Sequence, residues 1–122
     1  YFKKRTLAPM TTPRQQKVSR LLQKELGEYL QRSGPDMTQG KMITVTVVRI
    51  SPELGVAKVY LSVFPGEGAK ETVQAISEKA GWVRSAMGNR LRNQLRHIPQ
   101  FVFFLDDSLD YIDRIEDLLN EE

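Results

Sequence analysis

Residues 69–95 read AKETVQAISEKAGWVRSAMGNRLRNQL, and the interruption inside this helical run decides the architecture. Val83, Met87, Leu91 and Leu95 recur every fourth residue, the spacing of one buried side of a helix. Arg92 and Arg96 are also four apart, on a neighbouring side. Gly81 interrupts the pattern, so two helices, or one kinked helix, are expected around Lys79-Ala80-Gly81-Trp82. Pro99 ends the run.

Upstream of it, Met42–Ile50 is dominated by β-branched residues and predicts a strand. Ser51-Pro52-Glu53-Leu54-Gly55 reads as a turn. Val56–Phe64 predicts a second strand, in which Ala57, Val59, Leu61 and Val63 alternate with Lys58, Tyr60 and Ser62. That alternation sends one face to a core and leaves the other to solvent. Pro65-Gly66-Glu67-Gly68 is a connecting loop and not a phosphate cradle, since Glu71 stands where a dinucleotide fingerprint needs its third glycine.

Further upstream, Thr12 can cap a helix, Pro13 suits its first position and Gln15 can reach back in a capping box. Val18, Leu21, Leu22, Leu26, Tyr29 and Leu30 follow at helical spacing, with Arg14, Lys17, Arg20 and Lys24 largely offset from that stripe. Gly34-Pro35 ends the helix. Downstream of the central run, Phe101–Leu105 predicts a short buried strand, and Asp106-Asp107-Ser108 a turn. Leu109, Ile112, Ile115 and Leu118 mark a final acidic amphipathic helix. The predicted order is α-β-β-α-α-β plus a C-terminal helix, an α+β fold. Residues 10–122 are expected to form one domain, with residues 1–9 a foreign remnant or an extension.

A chain of 122 residues with 40% apolar residues can build a core without staples. It has no cysteine, which removes disulfides and Cys-based metal sites and fits a reducing cytoplasm. No apolar run approaches the roughly 20 residues a membrane helix needs. Net charge is +3, but unevenly distributed. Residues 1–34 carry Lys3, Lys4, Arg5, Arg14, Lys17, Arg20, Lys24 and Arg32 against only Glu25 and Glu28. Lys79 to His97 holds five cations and no acid, whereas residues 100–122 hold only Arg114 against eight acids. One face is therefore expected to meet a polyanion, nucleic acid first among them; simple solvation of helix surfaces is the alternative.

Catalysis finds little support. His97 is the only histidine, so neither a Cys–His pair nor a multi-histidine metal site can form. Asp106, Ser108, Asp110 and Asp117 imitate some calcium-loop positions, but Tyr111 stands where that loop requires glycine. No cofactor, no metal and no enzymatic step are expected.

The α-β-β-α-α-β order resembles type II KH domains, in which two helices flank a Gly-x-x-Gly loop that clamps nucleic-acid backbone. Here Lys79-Ala80-Gly81-Trp82 occupies that place, with Ala80 and Gly81 as the expected interhelical kink. This arrangement resembles the ribosome-binding factor A family. Segments similar to that family follow in order: Pro13-Arg14 through Glu25-Leu26; Ile43–Thr46; Ser51–Leu54; Ala57–Val63; Gly81–Arg84 with Gly88–Arg92; and Pro99–Phe101 with Phe103 and Asp106–Ser108. They span about residues 13–119. One departure is Lys79, where the family usually has alanine, so the kink is expected to be milder or displaced by a residue.

The resemblance implies a cytoplasmic, monomeric bacterial factor that binds the 30S subunit. It would contact 16S ribosomal RNA near the decoding region and support late maturation, notably during cold adaptation. A small-subunit ribosomal protein is a further candidate partner. The candidate RNA-contacting residues are Arg14, Lys17, Arg20, Lys24, Lys58, Lys79, Arg84, Arg90, Arg92 and Arg96. Gly81 and Gly88 are expected to allow close helix packing, or else approach of RNA backbone. Trp82 is expected to be buried beneath the kink, or else to stack on a base. Two other functions stay open: a general single-stranded RNA binder, and an adaptor docking through the acidic C-terminal helix.

Overall fold

The computed structural model describes residues 12–106. The expected remnant at residues 1–9, the turn after Asp106 and the acidic C-terminal helix lie outside the described residues. Among the described residues seven elements follow one another: α1 (Pro13–Arg32), α2 (Pro35–Thr38), β1 (Met42–Ile50), β2 (Val56–Phe64), α3 (Ala69–Glu78), α4 (Ala80–Leu91) and β3 (Gln100–Leu105). The short α2 departs from the reading of Gly34-Pro35 as a simple terminator, because Pro35 takes the first position of a new helical turn.

The start of α1 follows its sequence signal. The Thr12 N–H donates to Gln15 Oε1 at 2.9 Å, and the Gln15 N–H donates to Thr12 Oγ1 at 3.1 Å, which closes the capping box. Val18, Leu22, Leu26 and Leu30 then fall along one side of the helix and are buried, while Leu21 and Tyr29 are half-buried at its edge.

The three strands form one sheet in the order β1-β2-β3, with β1 antiparallel and β3 parallel to β2. Ala57, Val59, Leu61 and Val63 of β2, with Phe101 and Phe103 of β3, point inward onto the helices. Strand β1 needs a correction to do the same. Strict alternation from Ile43 and Val45 would send Val47 and Arg49 inward and bury a guanidinium. A bulge between Val45 and Val47 resets the phase, so that Val48 and Ile50 are buried and Arg49 stays outside. Gln23 of α1 donates to the carbonyls of Val45 and Thr46 at the bulge, which occupies backbone oxygens there.

All this places the helices on one face of the sheet. Among the described residues no element covers the other face, where Val56, Val102 and Phe104 are partly exposed and Tyr60 stacks on Phe104 at 5.2 Å.

The central run divides into two helices, one of the two arrangements expected, and the break is displaced to Lys79 (φ −106°, ψ 20°). Ala80 and Gly81 are instead the first two residues of α4. The second helix also stops at Leu91 rather than near Leu95, which leaves Arg96 beyond its end. Leu95 still packs against the core from the loop. Because Leu26 has no exposed surface, Leu26→Ala should cost about 2–5 kcal/mol in a urea titration; a loss under about 1 kcal/mol would mean that the stripe is not the anchor of the fold.

Candidate nucleic-acid interface

Burial of the α1 stripe fixes the direction of everything else on that helix. At 100° per residue, Lys17, Arg20 and Lys24 project nearly opposite to Leu22 and Leu26. All three are exposed, as is Arg14 one turn earlier. The only acids on α1 are Glu25 and Glu28, and both face α4. Arg90 reaches across, its Nε 3.1 Å from Glu25 Oε1 and its Nη2 3.2 Å from Glu28 Oε1. One arginine thereby offsets one of the two carboxylate charges and engages both side chains.

The ten candidate cations therefore separate. Arg90 is held by the acids of α1. Arg84 donates through Nε and Nη2 to the Ile98 carbonyl, at 3.1 and 2.9 Å, and so ties α4 to the segment leading into β3. Lys79 donates to the Asp36 carbonyl of α2 and lies 5.8 Å from the centre of the Trp82 ring. Lys58 stands on the other face of the sheet beside Arg49, turned away from α1. Arg14, Lys17, Arg20, Lys24, Arg92 and Arg96 are exposed, and their side chains form no hydrogen bond or ion pair among the described residues.

Some of these free cations converge. Arg14, Lys17 and Leu21 of α1 face Gln94, Leu95 and Arg96 of the loop after α4 across a shallow groove of about 240 Å³. Arg96, read from sequence as a helical neighbour of Arg92, is brought to α1 by the early end of α4. That some of Arg84, Arg90, Arg92 and Arg96 pair with acids is an expectation the sequence supports, but not that Arg90 takes both Glu25 and Glu28, nor that Gln94 joins a basic groove. Only the three-residue spacing of the two acids hinted at a shared partner.

The small residues and Trp82 do not behave as expected. A Cβ at Gly81 would meet nothing within 4 Å, and one at Gly88 would meet only Ile98 Cγ1 at 3.8 Å. Neither glycine mediates close helix packing. Trp82 is 66% exposed, not buried beneath the helix break: with Val83, Met87 and Leu91 of α4 turned to the core, its position falls on the outer side of that helix.

The family model for ribosome-binding factor A matches residues 14–119. The chain belongs to that family. It is 41% identical over 111 residues to ribosome-binding factor A of Flavobacterium johnsoniae, covering 90% of this chain and 85% of that one. The crystal structure of ribosome-binding factor A from Thermus thermophilus is similar in fold, with a TM-score of 0.64 at 23% identity over 75% of this chain and 93% of that one. Coordinates of the Thermus thermophilus factor fitted into a cryo-EM map of its 30S complex give a TM-score of 0.56 at 27% identity, over 72% of this chain and 90% of that one.

The exposure of Trp82 is directly measurable, since it is the only tryptophan. Its emission should resemble that of tryptophan in water and be strongly quenched by acrylamide. A blue-shifted, protected emission would contradict the outward position of Trp82.

Proposed function

We propose that this chain is a ribosome-assembly factor that docks on the 30S subunit by laying the outer face of α1 on 16S ribosomal RNA. The carrying observation is that Arg14, Lys17, Arg20 and Lys24 are exposed on α1 with no internal partner among the described residues, while Arg90 engages the only two acids of that helix. Lysine and arginine so placed pair with phosphates and release condensed counterions. Family membership and the 30S complex of the Thermus thermophilus relative support the choice of partner.

The finer reading is that the factor acts in late maturation of the subunit in the cytoplasm, as a monomer, and supports growth in the cold; here the family alone is the support. We read the fold as KH-like of type II, with the break at Lys79 standing where a Gly-x-x-Gly loop would be. In this reading the backbone clamp is replaced by a basic helix face, and no chemical step or cofactor is needed. Arg92 and Arg96 extend the contact, whereas Arg84, Arg90 and Lys79 hold the fold that presents it. Lys58, on the opposite side of the sheet, lies outside the docking surface.

Cosedimentation with 30S subunits at graded salt tests the reading. If about five phosphates are contacted, the log–log slope should be roughly −3 to −5. Replacing Lys17, Arg20 and Lys24 together by Gln should change stability by no more than about 0.5 kcal/mol per site, because all three are exposed. The same variant should lose most subunit binding and flatten the slope by about 2–3. A triple variant that melts and cosediments like the parent would show that this face is not the docking surface.

A further inference from the structure

A deeper cleft of about 430 Å³ adjoins the groove on α1 and shares Arg14, Leu95 and Arg96 with it. The start of α1 forms one wall, with Thr12 and Gln15 beside Arg14. The β1–β2 turn forms the second, with Pro52, Glu53 and Leu54. The loop after α4 forms the third and adds His97. The volume suits a single nucleotide.

Each wall is held independently. The capping box fixes Gln15, whose Nε2 also donates to the Ile50 carbonyl at 3.0 Å. In the turn, Ser51 Oγ accepts from the N–H groups of Gly55 and Val56 at 3.0 and 3.1 Å, and the Leu54 N–H donates to the Ser51 carbonyl at 2.8 Å. Leu54 itself sits at φ 62°, a left-handed conformation that a leucine adopts only when its surroundings impose it, and such residues gather at binding sites. The third wall is secured by the two bonds from Arg84 to the Ile98 carbonyl.

The polar groups of the cleft are oppositely charged, yet they do not close on one another. Glu53 shares the space with Arg14, Arg96 and His97, and among the described residues it forms no ion pair. A ligand that bridges them must offer paired donors to a carboxylate and acceptors to cations. Guanine does both. Its N1–H and N2–H are adjacent donors that match the two carboxylate oxygens, and its O6 and N7 are acceptors. Cytosine and adenine offer a carboxylate an exocyclic amino group beside a ring acceptor. Uracil offers one imino N–H between two acceptors. Pro52, Leu54 and Leu95 supply apolar surface for the ring.

Resting on the RNA-docking reading above, we propose that this cleft binds one unpaired guanosine of the RNA, with Glu53 reading its Watson–Crick edge. Arg96 and His97 face its acceptor atoms, and Arg14 takes the adjoining phosphate where the cleft opens onto Lys17. The nucleotide must be unpaired, because a base pair would hide the edge that Glu53 reads.

The test uses the full chain and fluorescein-labelled, uridine-rich RNA oligomers carrying a single central G, A, C or U, read by fluorescence anisotropy. The parent should bind the G oligomer about tenfold more tightly than the all-U oligomer, the discrimination expected of one bidentate base contact. In Glu53→Gln, where one acceptor becomes a donor, the preference should shrink to about twofold or less. The Lys17, Arg20 and Lys24 triple Gln variant should weaken all oligomers together and keep the ratio. A parent that binds all four equally, or an E53Q variant that retains the preference, would overturn the guanosine site and leave the α1 docking surface standing. A parent that binds neither RNA nor 30S subunits would overturn the docking reading and this site together.

Discussion

Leu22, Leu26 and Leu30 of α1 are wholly removed from solvent where the helix meets the sheet. Burying one such side chain contributes on the order of 1.5–3 kcal/mol. A helix is a rigid periodic object, so anchoring one side leaves no freedom on the other. Rotating α1 enough to hide Lys17 or Lys24 would draw leucines into water and lysines into the core. The outward basic face is thus a consequence of the apolar stripe. The bulge in β1 serves the same end, because it brings Val48 and Ile50 into the core while keeping Arg49 out.

The pairing of Arg90 with Glu25 and Glu28 acts on a different quantity. These are partly exposed ion pairs, and their contribution to stability is about 0–1 kcal/mol each. Their larger effect is on the field outside the molecule. Unpaired, two carboxylates at the edge of α1 would repel an approaching phosphate. Paired with one arginine from α4, they carry one net negative charge instead of two, against the four cations Arg14, Lys17, Arg20 and Lys24, and they link α1 to the helix whose following loop carries Arg96. One contact therefore connects the packing of two helices to the polarity of the surface they present.

Much of the fold was legible because it rests on local periodicity. The capping box at Thr12, the stripe on α1 and both nine-residue strands fall where their residues predict. What failed depended on tertiary context. Gly81 reads as the helix breaker by propensity, but the chain turns at Lys79, where its side chain finds the Asp36 carbonyl and the Trp82 ring. Trp82 is apolar enough to suggest burial, yet the core side of α4 is taken by Val83, Met87 and Leu91, which leaves Trp82 outside. For the candidate interface, the four cations of α1 could be read from helical spacing alone. That some arginines after the break would be engaged internally could be expected, but not that they would be Arg84 and Arg90, since their partners Ile98 and Glu25 carry no side-chain signal or are distant in sequence. The cleft at Glu53 is likewise invisible in sequence, being assembled from three separate segments.

In the proposed docking mode the side of the molecule bearing α1 faces ribosomal RNA, and the opposite side of the sheet does not. The absence of native cysteine permits a direct test by site-directed tethering. Gln31 is exposed on the outer side of α1, and Val102 is 42% exposed on the opposite side of the sheet. An iron–EDTA group attached to each in turn, through Gln31→Cys or Val102→Cys, generates hydroxyl radicals close to its own position. In complexes with 30S subunits, the probe at position 31 should cleave 16S ribosomal RNA strongly and the probe at position 102 only weakly. Strong cleavage from position 102 with little from position 31 would contradict the account.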